Sequence, residues 1–174
     1  MRGGLDREAS RNRTMPDSQV SNPHRLGFII RDYLPSEFDL LWKIDGECFS
    51  PEIAYSQEEL ADFIGHPDSH TWVAEGDGAV AGFLVATRVQ ARRLHIVTLD
   101  VVKSWRRRGV GRALMRAAEN LALLERRSGI VLETAEDNFQ AQAFYHGLGF
   151  QKARRVSPYY SDGTAAWVMF KKLT

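Results

Sequence analysis

Cysteine occurs once in these 174 residues, at Cys48. A disulfide within the chain is therefore excluded, and such usage fits a reducing compartment such as the cytoplasm. Cys48 lies between Ile44 and Phe49 in a helical pattern, which reads as a packed thiol rather than a nucleophile. No run approaches the roughly 18 apolar residues that a membrane-spanning helix needs. Charge of one sign is not in excess either: 23 Lys and Arg stand against 22 Asp and Glu, a formal net charge of +1. That balance gives no global field to draw the chain onto nucleic acid or a bilayer. Nucleotide signatures are missing as well. The helix start near residue 110 lacks the Lys–Ser/Thr pair of a P-loop, and Leu114 stands where G-x-G-x-x-G needs its third glycine. No internal repeat and no metal-ligating cluster is evident.

What is there centres on residues 95–114. His95 to Val102 is an apolar, β-branched run that reads as a strand, with His95, Val97, Leu99 and Val101 expected on one face by period-two alternation. Arg106, Arg107, Arg108, Gly109 and Gly111 follow. A helical stripe then begins: Val110, Ala113, Leu114, Ala117, Ala118 and Leu121. Strand, glycine-bearing turn and helix start make an anion site, because the first N–H groups of a helix lack intrahelical partners and the macrodipole favours negative charge. Glycine lets backbone approach a ligand closely, and arginines add charge where phosphates would sit. Read alone, the turn serves a phosphate ligand or is a basic patch of a nucleic-acid-binding module.

Residues 1–25 are polar, with hardly any apolar periodicity, and read as a disordered tail. One domain is expected over residues 26–174. Phe28, Ile29 and Ile30 give a first strand. Pro35-Ser36-Glu37 opens a helix whose buried face is Phe38, Leu41, Trp42 and Cys48. Ser56-Gln57-Glu58-Glu59 caps a second helix through Ile64. Strands over 70–75 and 79–89 flank the turn Gly76-Asp77-Gly78, and Gly82 marks a bulge or a close backbone approach. A strand over 130–134, a helix stopped by Gly149 and strands over 150–156 and 165–171 complete the order β-α-α-β-β-β-α-β-α-β-β. This is an α/β fold, a mixed and mostly antiparallel sheet with helices on both faces.

The pattern R-x-x-G-x-G at Arg106–Gly111 resembles the acetyl-coenzyme A pyrophosphate loop of the GNAT superfamily of N-acetyltransferases. The residues Asn138, Ala141, Phe144, Tyr145, Gly149 and Phe150 are similar to that superfamily's N-x-x-A-x-x-[FL]-Y-x-x-x-G-F block. Leu132-Glu133, twelve residues before Tyr145, resembles the RimI type, which acetylates protein N-terminal amines. The resemblance implies a GNAT fold whose fourth and fifth strands splay around a ligand, and acetyl transfer from acetyl-CoA to an amine without a metal.

It also implies roles. Tyr145 is the general acid, Glu133 the base, and His95 a base or the holder of a water for Glu133. Leu99, Asp100 and Val101 bind pantetheine, with a strand-four N–H for the oxyanion. Arg106, Arg107, Arg108, Gly109, Val110, Gly111, Arg112 and Ala113 hold the pyrophosphate, and Asn138 also contacts the cofactor. Tyr55, Tyr159 and Tyr160 grip a peptide's first residues. The implied partners are acetyl-CoA and the N-terminus of a protein or peptide, ribosomal proteins among them, with no membrane and no nucleic acid. Departures are Ala135 for the arginine of E-x-R, Lys103 for the proline before the loop, and Ala165 for an aspartate in the last hairpin. They leave peptide preference open, with a lysine side chain or a small-molecule amine as the alternative acceptor.

The chemistry has matching demands. An amine attacks a thioester only when neutral, and an α-amine (pKa around 7.7–8.0) loses its proton far more easily than a lysine (around 10.4). A base takes a proton from the attacking amine, an acid meets the departing thiolate, and a fixed N–H meets the oxyanion.

Overall fold

The computed structural model describes residues 27–90 and 92–173; the tail expected over 1–25 lies outside them. The chain enters through β1 (Phe28–Asp32), and a single 3-10 turn at Pro35–Glu37 runs into α1 (Phe38–Cys48). Ser56 then caps α2 (Gln57–Gly65). Its hydroxyl accepts the Glu59 N–H at 3.2 Å while Glu59 accepts the Ser56 N–H at 2.9 Å, so two orphan donors are satisfied reciprocally.

β2 (Ser69–Gly76) and β3 (Ala79–Val89) form the expected hairpin. Asp77 and Gly78 close it with φ of 51° and 73°, the left-handed pair that matches strand twist. β4 (Arg93–Val101) leads through a 3-10 turn to α3 (Val110–Leu124), followed by β5 (Gly129–Ala135) and α4 (Phe139–His146). Gly149 at φ 91° ends that turn, and the Phe150 N–H returns to the Tyr145 carbonyl at 3.1 Å. β6 (Gln151–Val156) and β7 (Ala166–Lys172) complete the chain.

The strands make one sheet in the order β1-β2-β3-β4-β5-β7-β6. Every neighbouring pair is antiparallel except β4 and β5. Gly82 satisfies both of its readings. Ala81 beside it is the extra residue of a bulge against β2, and a Cβ on Gly82 would overlap the Asp100 carbonyl.

Each face of the sheet carries a core. Leu84, Leu94, Ile96, Leu114, Met115, Ile130, Leu132 and Phe150 pack between the sheet and α3. Leu41, Ile44 and Leu60 cover Val73, Phe83 and Val85 on the other side. Truncating a leucine such as Leu41 or Leu60, both 0% exposed, costs about 2–5 kcal/mol by transfer and cavity terms together. Trp42 corrects the expected face of α1. It is an exposed residue whose indole N–H donates to the Tyr55 carbonyl at 3.2 Å, because tryptophan keeps a polar handle that seeks a partner.

Candidate active site

β4 and β5 pair over only Arg93↔Gly129, Leu94↔Ile130 and His95↔Val131. Both strands continue, to Val101 and Ala135, so a fork opens beyond His95. Its cause is a bulge in β4. Val85 pairs with Thr98 and Ala86 with Ile96, leaving Val97 as the extra residue, and a bulge bends its strand and adds twist.

The bulge overturns the alternation expected along β4. Leu94 and Ile96 before it and Leu99 and Val101 after it all pack on the α3 side. Val97 joins the α1–α2 cluster instead. His95 therefore shares a face with Val97 but not with Leu99 or Val101. An inserted residue shifts the period by one, and every side chain beyond it changes face.

Glu133, two positions past Val131 on β5, reaches back to the apex of the fork. Its Oε2 lies 2.6 Å from His95 Nε2, with side-chain exposures of 18% and 27%. Tyr145 comes from the opposite side. It packs with the α3-side core, its ring 5.2 Å from Phe144 and 5.8 Å from Phe150 between centroids. Burial, and then the charge of Asp100, pushes its phenol well above the ordinary value. The Glu133–His95 pair and the Tyr145 phenol thus lie on opposite faces of the sheet.

At the open end, Gly109 sits at φ 88° as the N-cap of α3, a conformation glycine takes without Cβ strain. Gly111, in the first turn of α3, is also closely packed. A Cβ there would stand 3.3 Å from Phe144 Cζ and 3.6 Å from Val101 Cγ2, so its bareness serves the packing of α3 on α4 and β4. Arg106 donates Nε–H to the Val101 carbonyl at 2.9 Å and Nη2–H to Cys48 Sγ at 3.7 Å, tying the turn to β4 and α1. Arg108 lies over the Trp105 ring at 5.1 Å. Arg107 and Arg112 are exposed, Val110 is buried and Ala113 half-buried. Asn138 Oδ1 accepts the Ala141 N–H at 3.0 Å and so caps α4.

Asp100 turns its side chain into the α1 side and is 0% exposed. Its Oδ2 accepts from Thr98 Oγ1 at 2.8 Å, so toward the fork it offers backbone alone. Burial, followed by the charge of Asp45, holds its carboxyl well above the usual range.

The loop that carries Tyr55 meets the loop that carries Tyr159 and Tyr160, since Ser161 Oγ donates to the Glu52 carbonyl at 3.0 Å. Tyr159 and Tyr160 stand edge to face at 4.9 Å. Burial, then the charge of Glu133, raises both phenols, Tyr160 to about 12. Tyr55 is turned inward, its hydroxyl donating to the Val97 carbonyl at 3.3 Å. Its N–H donates to Asp45 Oδ2 at 2.8 Å. Asp45 escaped the sequence reading, although an acid one turn past Leu41 on an apolar stripe is a usable signal. Among the described residues, no group of three His, Cys, Asp or Glu side chains is placed to hold a metal ion, and no helix is long and apolar enough to cross a membrane.

Residues 35–150 match the Acetyltransferase (GNAT) family. The chain belongs to it. An uncharacterized N-acetyltransferase of Methanocaldococcus jannaschii is 31% identical over 145 residues, covering 83% of this chain and 91% of the relative. An N-alpha-acetyltransferase of Sulfurisphaera tokodaii is 29% identical over 111 residues, 56% of this chain and 66% of the relative. The crystal structure of Ard1 from Thermoplasma volcanium superposes with a TM-score of 0.76 at 26% identity, covering 85% of this chain and 99% of that one. As a GNAT enzyme the protein is an acetyl-CoA-dependent N-acetyltransferase. That leaves the nucleic-acid reading of the Arg–Gly turn without support.

Proposed function

We propose that this GNAT acetyltransferase acts on the N-terminal α-amine of a protein or peptide, with Glu133 and His95 as the base and Tyr145 as the acid. The observation that carries the reading is the His95–Glu133 pair at the apex of the fork, 2.6 Å apart. The pair lies on the sheet face that also bears α1 and α2.

The fork suits the cosubstrate. The β5-facing edge of β4 has no strand partner beyond His95, so Leu99, Asp100 and Val101 have backbone groups to offer a pantetheine chain. The first turn of α3, behind Gly109, has N–H groups for the pyrophosphate, and Arg107, Arg108 and Arg112 supply charge beside it. Bound acetyl-CoA supplies the acetyl group as an activated thioester.

Glu133, directly or through His95, accepts a proton from the attacking amine. A backbone N–H of β4 past the bulge meets the oxyanion. Tyr145, held protonated by burial, stands on the far face to donate to the leaving thiolate. Tyr159 and Tyr160 present aromatic surface at the mouth, where a peptide's first residues would lie.

Mass spectrometry of one lysine-containing peptide, with its α-amine free or formylated, tests the acceptor. Acetylation of the free form alone, at the α-amine, is expected. Equal acetylation of both forms on lysine overturns the N-terminal specificity and leaves the family untouched.

A further inference from the structure

We infer that Asp45 is a positioning residue for the acceptor. Acting through Tyr55, it fastens the loop between α1 and α2 to the bulge of β4, and so sets where the acceptor stands beside His95 and Glu133. The inference rests on the proposed acceptor side of the fork.

Asp45 is 0% exposed. A carboxylate in such a place is costly unless it is paired, yet its Oδ1 has no hydrogen-bond partner and its Oδ2 has the Tyr55 N–H at 2.8 Å. An apolar residue beside Leu41 and Ile44 would pack against the sheet without that cost. What the carboxylate adds is a hold on the loop.

Tyr55 is gripped at every polar atom it has. Its N–H is taken by Asp45, its carbonyl by the Trp42 indole at 3.2 Å, and its hydroxyl donates to the Val97 carbonyl at 3.3 Å. Its ring stands edge-on to Phe63 at 5.1 Å. Val97 is the extra residue of the bulge, two positions from His95. A continuous line of contacts therefore runs from α1 through Tyr55 to the strand that carries His95. The same loop reaches the opposite lip of the mouth through Glu52 and Ser161. Releasing Tyr55 frees both lips while leaving the fork and the start of α3 in place.

The test compares Asp45→Ala, Asp45→Asn and Tyr55→Phe, using a ten-residue peptide with a free α-amine as acceptor. Asp45→Ala is expected to raise the acceptor KM on the order of tenfold, the scale of one lost charge-assisted hydrogen bond. Acetyl-CoA affinity, read by calorimetry, stays within about twofold of wild type. Asp45→Asn keeps an oxygen for the Tyr55 N–H and recovers most of the loss. Tyr55→Phe gives a smaller rise.

Amide exchange over residues 50–56 should accelerate in Asp45→Ala and not in Asp45→Asn. An unchanged acceptor KM beside accelerated exchange overturns the inference. So does a parallel loss of acetyl-CoA affinity, which marks a merely structural role. If Asp45→Ala does not fold, Tyr55→Phe decides, and an unaltered acceptor KM overturns the inference. A wild-type enzyme inert toward the peptide sinks the N-terminal reading instead. The same comparison with an N-formylated, lysine-bearing peptide then judges Asp45 by the same outcomes.

Discussion

His95 is the last residue of β4 to pair with β5, and its Nε2 lies 2.6 Å from Oε2 of Glu133. The contact spans the one place where the sheet both holds together and begins to part. Either group alone on its strand would be an ordinary half-buried polar residue; joined there, they are the pair proposed above as the base.

Removing either member should therefore disable the same function. Glu133→Gln and His95→Ala are each expected to lower kcat/KM on the order of 10²–10⁴-fold. The double variant should be no worse than the poorer single one, because groups that act as a unit are not additive. Steady-state release of CoA measures it. Losses that multiply would show two independent roles.

Tyr145→Phe removes one hydroxyl and leaves the contacts with Phe144 and Phe150. Turnover should fall on the order of 10²–10⁴-fold with little change in melting temperature. The phenol is raised from its ordinary value by burial first and by Asp100 second, so it keeps its proton through the alkaline range. The kcat profile of the wild type should show no descending limb from this group below about pH 10. Wild-type turnover in the variant returns Tyr145 to a purely packing role.

Gly111→Glu places a side chain against Phe144 and a negative charge at the start of α3. Acetyl-CoA binding by calorimetry should be largely lost while the circular dichroism spectrum persists. Gly109→Ala forces a Cβ into φ 88° and should cost about 1–2 kcal/mol of stability in chemical denaturation. Unchanged acetyl-CoA affinity in Gly111→Glu would place the cosubstrate elsewhere.

Asp45 gives a pH prediction with a definite sign. Burial raises its carboxyl from 3.8 to about 6, against the lowering effect of the Tyr55 N–H. The folded state thus holds this proton more tightly than the unfolded one. Its stabilising contribution is complete below about pH 4 and is lost as pH rises through 6, roughly 3 kcal/mol over that window. Glu37 and Glu125 work the other way, lowered chiefly by Arg31 and Arg88, so their contribution is present at neutral pH and lost toward acid. Denaturation of wild type and Asp45→Asn isolates the first effect. The difference should grow in favour of Asp45→Asn from pH 4 to 7 and then level off; a flat difference would refute it.

Much of the architecture was legible because local chemistry agrees with the tertiary arrangement. The Ser56–Glu59 capping box, the Asp77-Gly78 turn and the stop at Gly149 each act within a few residues, and each stands where the spacing puts it. The resemblance implies His95 as a base or as the holder of a water for Glu133, and the fold puts the two side chains in direct contact. What escaped was non-local. The bulge at Val97 depends on the register with β3, which no alternation pattern within β4 encodes. Gly111 meets Phe144 from a helix some thirty residues on, and Tyr55 turns inward because Asp45 and Val97, from two other elements, take its polar atoms. The contacts of Arg106 with the Val101 carbonyl and Cys48 are non-local in the same way.

The short β4–β5 pairing has a thermodynamic consequence. Three residue pairs join a four-stranded half of the sheet to a three-stranded half, so the seam is a natural boundary between cooperative units in local opening. Acetyl-CoA, placed as proposed along the free edge of β4 and reaching α3, would lend its binding energy to the folded form. The gain follows RT ln(1 + [L]/Kd), about 2.7 kcal/mol at a hundred times Kd. The unfolded population is therefore expected to rise as acetyl-CoA is depleted, which limited proteolysis with and without acetyl-CoA measures.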